Sequence, residues 1–403
     1  VATEELSDFL ARAETWLEQH LQRRPDRSTL RWGEGSDDVA LFKNLTASEE
    51  RAHIDALRAW QCTKSDSGFG SISWPTAYGG SGLPTAFEHA FSALERQFLA
   101  PSGHEAVAIT LDLVAPTILT CGNEAQRERY VRPMRRTDEM WCQLFSEPGA
   151  GSDLASVTTR AQLVDDRWVL NGQKVWTSGA QYADFGYILC RTDVTAQRHA
   201  GLTAFILPMG TDGVDVRPLR QMSGGSSFNE VFLSDVELSD TFRLGEIGAG
   251  WSVALTTLGF ERASATLSGA SSDDLFERLV LAARHRQKDS DPLVRQALAN
   301  LYIDGRVRTM TRRRVTEAAK AGGVPGPEGS LGKLGWTEGL RETTAVASLL
   351  LGMDLVADTG TWGTYAWSEF VNGVPGFRVA GGSDEIQRNI IAERVLGLPR
   401  DPR

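Results

Sequence analysis

Glu261 and Arg262 are the only charged residues between Ile247 and Ser272, and they stand side by side within the apolar stretch WSVALTTLGFERASATLSGAS, Trp251 to Ser271. Read as a helix, the face that carries Glu261 also carries Ala254, Thr257, Leu258, Ser264, Ala265 and Ser268, at offsets of three, four and seven. Apart from Leu258 these neighbours are small. A carboxylate in such uncharged surroundings has its ionised form disfavoured, so its pKa is expected to rise toward the working range of a general base, while small side chains leave room for a substrate. The plainer alternative is an ion pair on a helix surface or between helices, the ordinary setting of a Glu-Arg step.

Three other stretches combine residue types that could bind or react. Ser146-Glu147-Pro148-Gly149-Ala150-Gly151-Ser152-Asp153 is a glycine-rich turn with hydroxyls, which taken alone is as well a plain β-turn. NGQKVWTSGA, Asn171 to Ala180, reads as a hairpin turn followed by Trp176, Thr177 and Ser178, and a strand tryptophan is usually core. AGGSDEIQRNIIAERVLGLP, Ala380 to Pro399, is a glycine loop leading into an amphipathic helix, with Ser383 as N-cap and Asp384 and Glu385 in the first turn.

The elements that must position these residues follow from periodicity. Helical spacing recurs at about Glu4 to Leu21, Ala47 to Trp60, Thr85 to Phe98, Glu105 to Cys121 and Glu124 to Met134, interrupted by the loop Gly68 to Pro84, in which Trp74, Pro75 and Tyr78 are expected to be buried. From Trp141 the pattern changes to short β-rich runs: Thr158 to Leu163, Arg167 to Leu170, Gln173 to Thr177, Gly186 to Arg191, Leu202 to Pro208, Val214 to Arg220 and Asn229 to Leu238. Asp165-Asp166, Asn171-Gly172 and Thr211-Asp212-Gly213 supply turns between them. Strands without intervening helices predict an antiparallel sheet or small barrel, and no GxGxxG follows a strand. Helix returns at Trp251 to about Arg286, Pro292 to Lys320, Ser330 to about Val356 and Ser383 to Leu396, with Thr359 to Gly382 read as irregular. The expected fold is α+β and multidomain: an N-terminal helical domain (residues 1–139), a middle antiparallel β domain (140–246) and a C-terminal helical bundle (247–403).

Composition narrows the function. With 403 residues and a formal net charge of -10, the chain's charge opposes a general nucleic-acid surface, which draws its affinity from clustered cations. One basic cluster, Arg306, Arg308, Arg312, Arg313 and Arg314, reads as a solvated or ion-paired helix face, with anion contact as the alternative. Cys62, Cys121, Cys142 and Cys190 lie far apart with no CxxC, which suggests neither zinc nor a disulfide framework and fits a reducing cytoplasm. No export signal is read at the N-terminus, and the longest apolar run, Ala345 to Met353, is too short to span a bilayer.

Taken together and in this order, WPTAYGG (Trp74 to Gly80), SEPGAGSD, NGQKVWTSGA and EIQRNIIAERVLG (Glu385 to Gly397) resemble the acyl-CoA dehydrogenase family over nearly the whole chain. The resemblance implies FAD between the β domain and the C-terminal helices. By position, Gln143, Leu144 and Ser146 would lie along the flavin and Trp176, Thr177 and Ser178 on its other side; Ser152 would touch the flavin phosphate or the CoA pantetheine arm. Ser383 and Glu385 would meet the pyrophosphate at a helix N-terminus. The implied reaction removes an α-proton from an acyl thioester as the β-hydrogen leaves as hydride, giving a trans-2-enoyl-CoA.

The sequence departs from the family's commonest pattern at the base. Many members carry a Glu immediately before the glycine of the C-terminal motif; here that position is Gly381. A minority place the Glu on the first long helix of the C-terminal domain, where Glu261 stands. The resemblance then assigns Glu261 as base, the Gly381 N–H as a donor to the thioester oxygen and Arg262 as a contact to CoA or a brace for its helix. Two further elements that reach a neighbouring subunit's FAD in many members are replaced by RHRQKDSDPLVRQ (Arg284 to Gln296) and ASLLLGMD (Ala347 to Asp354), unless Arg286 or Arg295 takes over the adenine contact. The expected assembly is either a homodimer or homotetramer, or an α2β2 heterotetramer in which this chain is the Glu-bearing subunit, with an electron-transfer flavoprotein as acceptor. The alternatives are an acyl-CoA oxidase that returns electrons to oxygen, a monooxygenase-like relative, against which Glu261 counts, and a non-catalytic partner subunit.

Overall fold

The computed structural model describes residues 5–24, 30–101, 103–268, 272–320 and 326–400, without the side chains of 262–268, 272, 273 and 315–320. The chain forms two compact units, one made of the N-terminal helix, Leu45–Leu219 and Ser227–Thr257, the other of Leu30–Asn44, Arg220–Ser226 and everything from Leu258 onward.

In the first unit, helix α1 (Leu6–His20) buries Phe9, Ala13 and Leu17, one residue per turn, against Trp60 of α2 (Ala47–Asp66) and Phe87 and Phe91 of α3 (Thr85–Glu95). α2 starts in a capping box: the Thr46 N–H donates to Glu49 Oε2 at 2.9 Å, and the Glu49 N–H donates back to Thr46 Oγ1 at 3.4 Å. The Gly68 to Pro84 loop does bury Trp74, but Pro75 is exposed and Tyr78 half-exposed, its hydroxyl donating to Glu124 Oε1 at 2.9 Å. Helices α4 (Glu105–Ala108) and α5 (Ala115–Cys121) are joined by a π-helical turn, Ile109–Val114, and α6 (Glu124–Arg136) completes the set.

Among the described residues the strands are β1 (Trp141–Leu144), β2 (Arg160–Val164), β3 (Arg167–Ser178), β4 (Phe185–Arg191), β5 (Leu202–Pro208), β6 (Val214–Leu219), β7 (Phe228–Ser239) and β8 (Arg243–Leu244); seven follow the sheet order β6-β7-β3-β2-β4-β5-β8, and β1 pairs with β4 off that path. Pairing is antiparallel except that β1 runs parallel to β4 and one parallel bridge, Arg160 to Arg191, joins β2 to β4. The expected hairpin at Asp165-Asp166 forms, both residues taking positive φ. Asn171-Gly172 does not turn. The two runs on either side of it are one strand, β3, and the Asn-Gly pair is an irregularity between Leu170 and Gly172 in the register with β7. Asn171 is held there by two bonds to Asp235, and the close approach of Thr159 leaves no room for a side chain at Gly172.

In the second unit, α8 (Ser272–His285), α9 (Pro292–Lys320), α10 (Gly329–Leu351) and α11 (Ala366–Val379) share a core that includes Leu279, Val294, Leu340, Leu350, Trp367 and Phe370. α11 lies within the segment expected to be irregular. Gly373, Pro375 and Gly376 are poor helix formers, but Trp367, Phe370 and Val374 all face the core, and that burial overrides local propensity. The basic cluster on α9 is in part a packing feature, since Arg308 lies over Gly335 and Gly339 of α10 and pairs with Glu342 at 3.3 Å. Helix α7 (Gly250–Ser268) carries Glu261, and α12 (Asp384–Ile390) continues as a π turn, Ile391–Val395. The expected single helix to Arg286 is described as α7 and α8, with residues 269–271 between them outside the described residues.

Candidate active site

Two clusters carry the sequence-derived site residues, one in each unit. In the first unit the organiser is a residue pair that sequence reasoning passed over. Lys174 on β3 is fully buried, and its ammonium donates to the carbonyls of Phe145 (3.0 Å) and Leu189 (2.8 Å) and to Glu147 Oε1 (2.8 Å). Glu147, also buried, receives the Thr159 N–H on Oε1 at 2.9 Å and the N–H and hydroxyl of Thr158 on Oε2 at 2.7 and 2.8 Å. Burial opposes ionisation of Glu147, but the Lys174 charge and these donors outweigh it and hold its pKa near 2. Burial also pulls Lys174 down against the upward pull of Glu147, and with three acceptors in place the ammonium is the form the site accommodates.

The pair ties the glycine-rich turn after β1 to the end of β3. The Val175 N–H donates to Ser146 O at 2.9 Å, so Ser146 sits beside the step into Trp176. There the register with β7 shifts between Lys174 and Thr177, Trp176 takes φ +60°, and its indole is left 61% exposed, touched at its edge by Phe228. A non-glycine residue in the left-handed region with a large apolar face in solvent is the kind of strain that marks functional positions. Thr177 is buried, with its carbonyl receiving Asn229 Nδ2 at 3.0 Å while its hydroxyl has no hydrogen-bond partner among the protein atoms. Ser178 is half-buried. Gln143 and Ser146 are half-buried, but the Leu144 side chain is packed in the sheet core, because alternate β1 residues face opposite ways; only its main chain is left for a ligand. Ser152 is exposed on the turn.

In the second unit, α7 brings Glu261 to the loop before α12. Gly381 and Gly382 both have left-handed φ, +65° and +83°, and a Cβ built on Gly381 would lie 3.1 Å from Glu261 Oε1. Ser383 caps α12, accepting the Ile386 N–H at 3.4 Å. Gln387 closes the loop, donating to Gly381 O at 3.0 Å and Gly382 O at 3.1 Å. Glu385 is exposed and its pKa is lowered, chiefly by a backbone hydrogen bond and then by Ser383. Arg262 lies on α7, its side chain outside the described residues. Sequence reading also missed Asp384: treated as a first-turn helix acid, it is 1% exposed and bonded by Lys333, Thr337 and Arg378. Neither adenine-contact candidate is idle, since Arg286 pairs with Asp354 and Arg295 donates to Asp289 O at 3.3 Å.

Helices, a β sheet and a second set of helices, in that order, are the architecture of the acyl-CoA dehydrogenase fold. The chain belongs to the acyl-CoA dehydrogenase family: its N-terminal, middle and C-terminal domain models match residues 41–138, 142–236 and 248–396. It is 35% identical to the acyl-CoA dehydrogenase IpdE1 of Mycobacterium tuberculosis over 99% of this chain and all of that protein. Among solved structures it is similar to the Tcur3481-Tcur3483 steroid ACAD (26% identity, TM-score 0.78, 98% of each chain) and, in fold, to the ChsE4-ChsE5 complex of Mycobacterium tuberculosis (24%, TM-score 0.74, 99% of each chain). Among the described residues no helix is long and apolar enough to cross a membrane.

The family implies a flavin, and the first cluster fits one. A buried hydroxyl lacking a partner, next to an exposed indole, suits a flat ring system with hydrogen-bonding atoms on its edge.

Proposed function

We propose that this chain catalyses the FAD-dependent α,β-dehydrogenation of an acyl-CoA thioester to the trans-2-enoyl-CoA, with Glu261 as the general base. The observation that carries the proposal is the 3.1 Å between Glu261 Oε1 and a Cβ built on Gly381: the carboxylate from α7 comes to the point toward which a side chain at 381 would project. Glu261 takes the α-proton, the Gly381 N–H donates to the thioester oxygen, and the β-hydrogen departs with its electron pair, leaving the Cα=Cβ double bond. A bound flavin supplies the hydride acceptor. We assign its binding to Gln143, the main chain of Leu144, Ser146, Trp176, Thr177 and Ser178, with the N-terminal end of α12 at Ser383 and Glu385 for the pyrophosphate, and Ser152 and Arg262 to CoA.

Two features favour a heteromeric assembly in which this chain is the base-bearing subunit. The segments that replace the adenine-contact elements pair with each other through Arg286 and Asp354 instead. Similar structures include the two-component Tcur3481-Tcur3483 and ChsE4-ChsE5 proteins. The exposed apolar residues Tyr302, Ile303, Val307 and Met310 on α9 give such a partner, or a second copy, a surface to cover. Electrons are assigned to an electron-transfer flavoprotein, and the four free cysteines suit a reducing cytoplasm.

The test is anaerobic titration of the flavin with acyl-CoA esters, linear, branched and polycyclic. Glu261→Gln is expected to keep FAD and slow flavin bleaching by roughly 10²–10⁴-fold; bleaching at the unmodified rate rejects the base. Stoichiometric peroxide in air would identify an oxidase, and a colourless protein even with its partner co-expressed would identify a non-catalytic subunit. One FAD per chain and full activity from the chain alone would reject the heteromer.

A further inference from the structure

Asp384 is nearly inaccessible, and donors from two helices converge on it. Lys333 and Thr337, one turn apart on α10, donate to Oδ1 at 3.3 and 2.6 Å; Arg378, near the end of α11, donates to Oδ2 at 2.7 Å. Lys333 also donates to Arg378 O at 3.3 Å. Arg378 precedes the loop that contains Gly381, and Asp384 follows it, so a single carboxylate clamps that loop at both ends. Gln387, on the next turn of α12, holds the loop's middle carbonyls.

Burying an ammonium and a carboxylate is expensive, and a loop of this size could be closed by neutral bonds such as those of Gln387. The ionic clamp lies within electrostatic reach of the base. Burial lowers the Lys333 pKa, while Asp384 and then Glu261 and Glu385 raise it. Lys333 thus feels Glu261 and, on α12, both Asp384 and Glu385, while Arg378 of α11 acts on Asp384 and Glu385.

Resting on the reading of Glu261 as base, we propose that Asp384 is a positioning residue for proton abstraction: it holds Gly381 in register with the Glu261 carboxylate and balances the Lys333 charge beside it. Asp384→Asn keeps an acceptor for Thr337 but leaves Lys333 without its nearest counter-charge. In the holoenzyme this variant is expected to hold KM within about threefold and lose about 10- to 100-fold in kcat, as small misplacements of reacting groups do. The acid limb of kcat/KM should move to lower pH, because uncompensated positive charge favours the ionised base. Asp384→Asn combined with Lys333→Met should return the limb to its original position. A limb that does not move, with kcat falling only in proportion to folded, flavin-loaded protein, overturns the proposal. If Asp384→Asn does not fold, Lys333→Met alone decides: the limb moves to higher pH, and an unmoved limb refutes the charge balance. Glu261→Gln in the same assay separates the two readings. If it still reduces flavin, the base assignment fails; if it is inert while Asp384→Asn behaves as wild type, only the clamp fails.

Discussion

Lys174→Met tests whether the buried Lys174–Glu147 pair holds the first cluster together. The substitution keeps the length and apolar stem of the side chain and removes only the ammonium, leaving Glu147 buried without a counter-charge and the carbonyls of Phe145 and Leu189 without their donor. Breaking a buried pair at one partner costs about 3–5 kcal/mol. Glu147 keeps the two Thr158 donors and the Thr159 N–H, which places the cost toward the lower end, about 3 kcal/mol. For a unit of this size that is a fall of about 6–12 °C in Tm. Thermal unfolding followed by tryptophan fluorescence reads it, since Trp141 and Trp168 are buried in this unit. Flavin content, measured in parallel, should drop in the protein that remains folded, because Ser146 and Trp176 are positioned through the same contacts. Lys174→Met with Glu147→Gln removes both charges and should recover most of the lost stability. A single variant within 2 °C of wild type, or a double variant no better than the single, refutes the reasoning.

Other perturbations follow from the same geometry. Glu147 has its folded-state pKa depressed from 4.5 to about 2, so its contribution is complete above about pH 4.5 and is lost as pH falls through about 2. Stability measured by denaturant between those limits should decline by up to about 3 kcal/mol from this residue, and the decline should flatten in Glu147→Gln. Trp176→Gly replaces an exposed residue at φ +60° with the one that adopts it freely, so the Tm of the flavin-free protein should hold or rise by about 1–2 °C while flavin retention falls; a large drop in Tm would make Trp176 a core residue instead. Gly381→Ala should cost about 1–2 kcal/mol for the left-handed backbone and push the Glu261 carboxylate aside, slowing flavin reduction at least about tenfold; a rate within about twofold of wild type would separate Gly381 from the base.

What could be read from the sequence was set by how local each signal is. Periodicity placed the helices and most strands because the buried face of an element repeats along the chain, as Phe9, Ala13 and Leu17 do. α11 was invisible because its stability comes from Trp367, Phe370 and Val374 meeting residues of other helices, against the local preference of Gly373, Pro375 and Gly376. Asn171-Gly172 was misread as a turn because the dipeptide favours positive φ in either setting; what makes it an irregularity in a longer strand is Asp235, more than sixty residues away. The buried charges failed for a related reason. Lys174 follows no pattern that distinguishes it from an exposed strand lysine, and Asp384 sits where a helix N-terminus welcomes any acid. Their partners, Glu147 in one case and Lys333, Thr337 and Arg378 in the other, are separated from them in sequence or lie on other elements.

The closeness of Glu261 to Gly381 is the instructive exception, since the sequence shows its two halves, an acid missing at one position and an acid in uncharged surroundings at another. Spatially these are one fact. A side chain at 381 would have to leave a loop in the left-handed region, and its first carbon would meet the carboxylate that α7 delivers. The two positions compete for the same volume, so a chain that carries the acid on the helix is under steric pressure to keep glycine on the loop. The converse arrangement would need the helix position cleared. Transferring the acid, Glu261→Gly with Gly381→Glu, should therefore fit where Gly381→Glu alone does not. Glutamate at 381 must still adopt φ near +65°, at about 1–2 kcal/mol, so the transferred base should bleach flavin more slowly than the native one but faster than Glu261→Gln. If the double variant is as inert as Glu261→Gln, proximity of the two positions is not enough to make them equivalent, and the helix must contribute an orientation that the loop cannot supply.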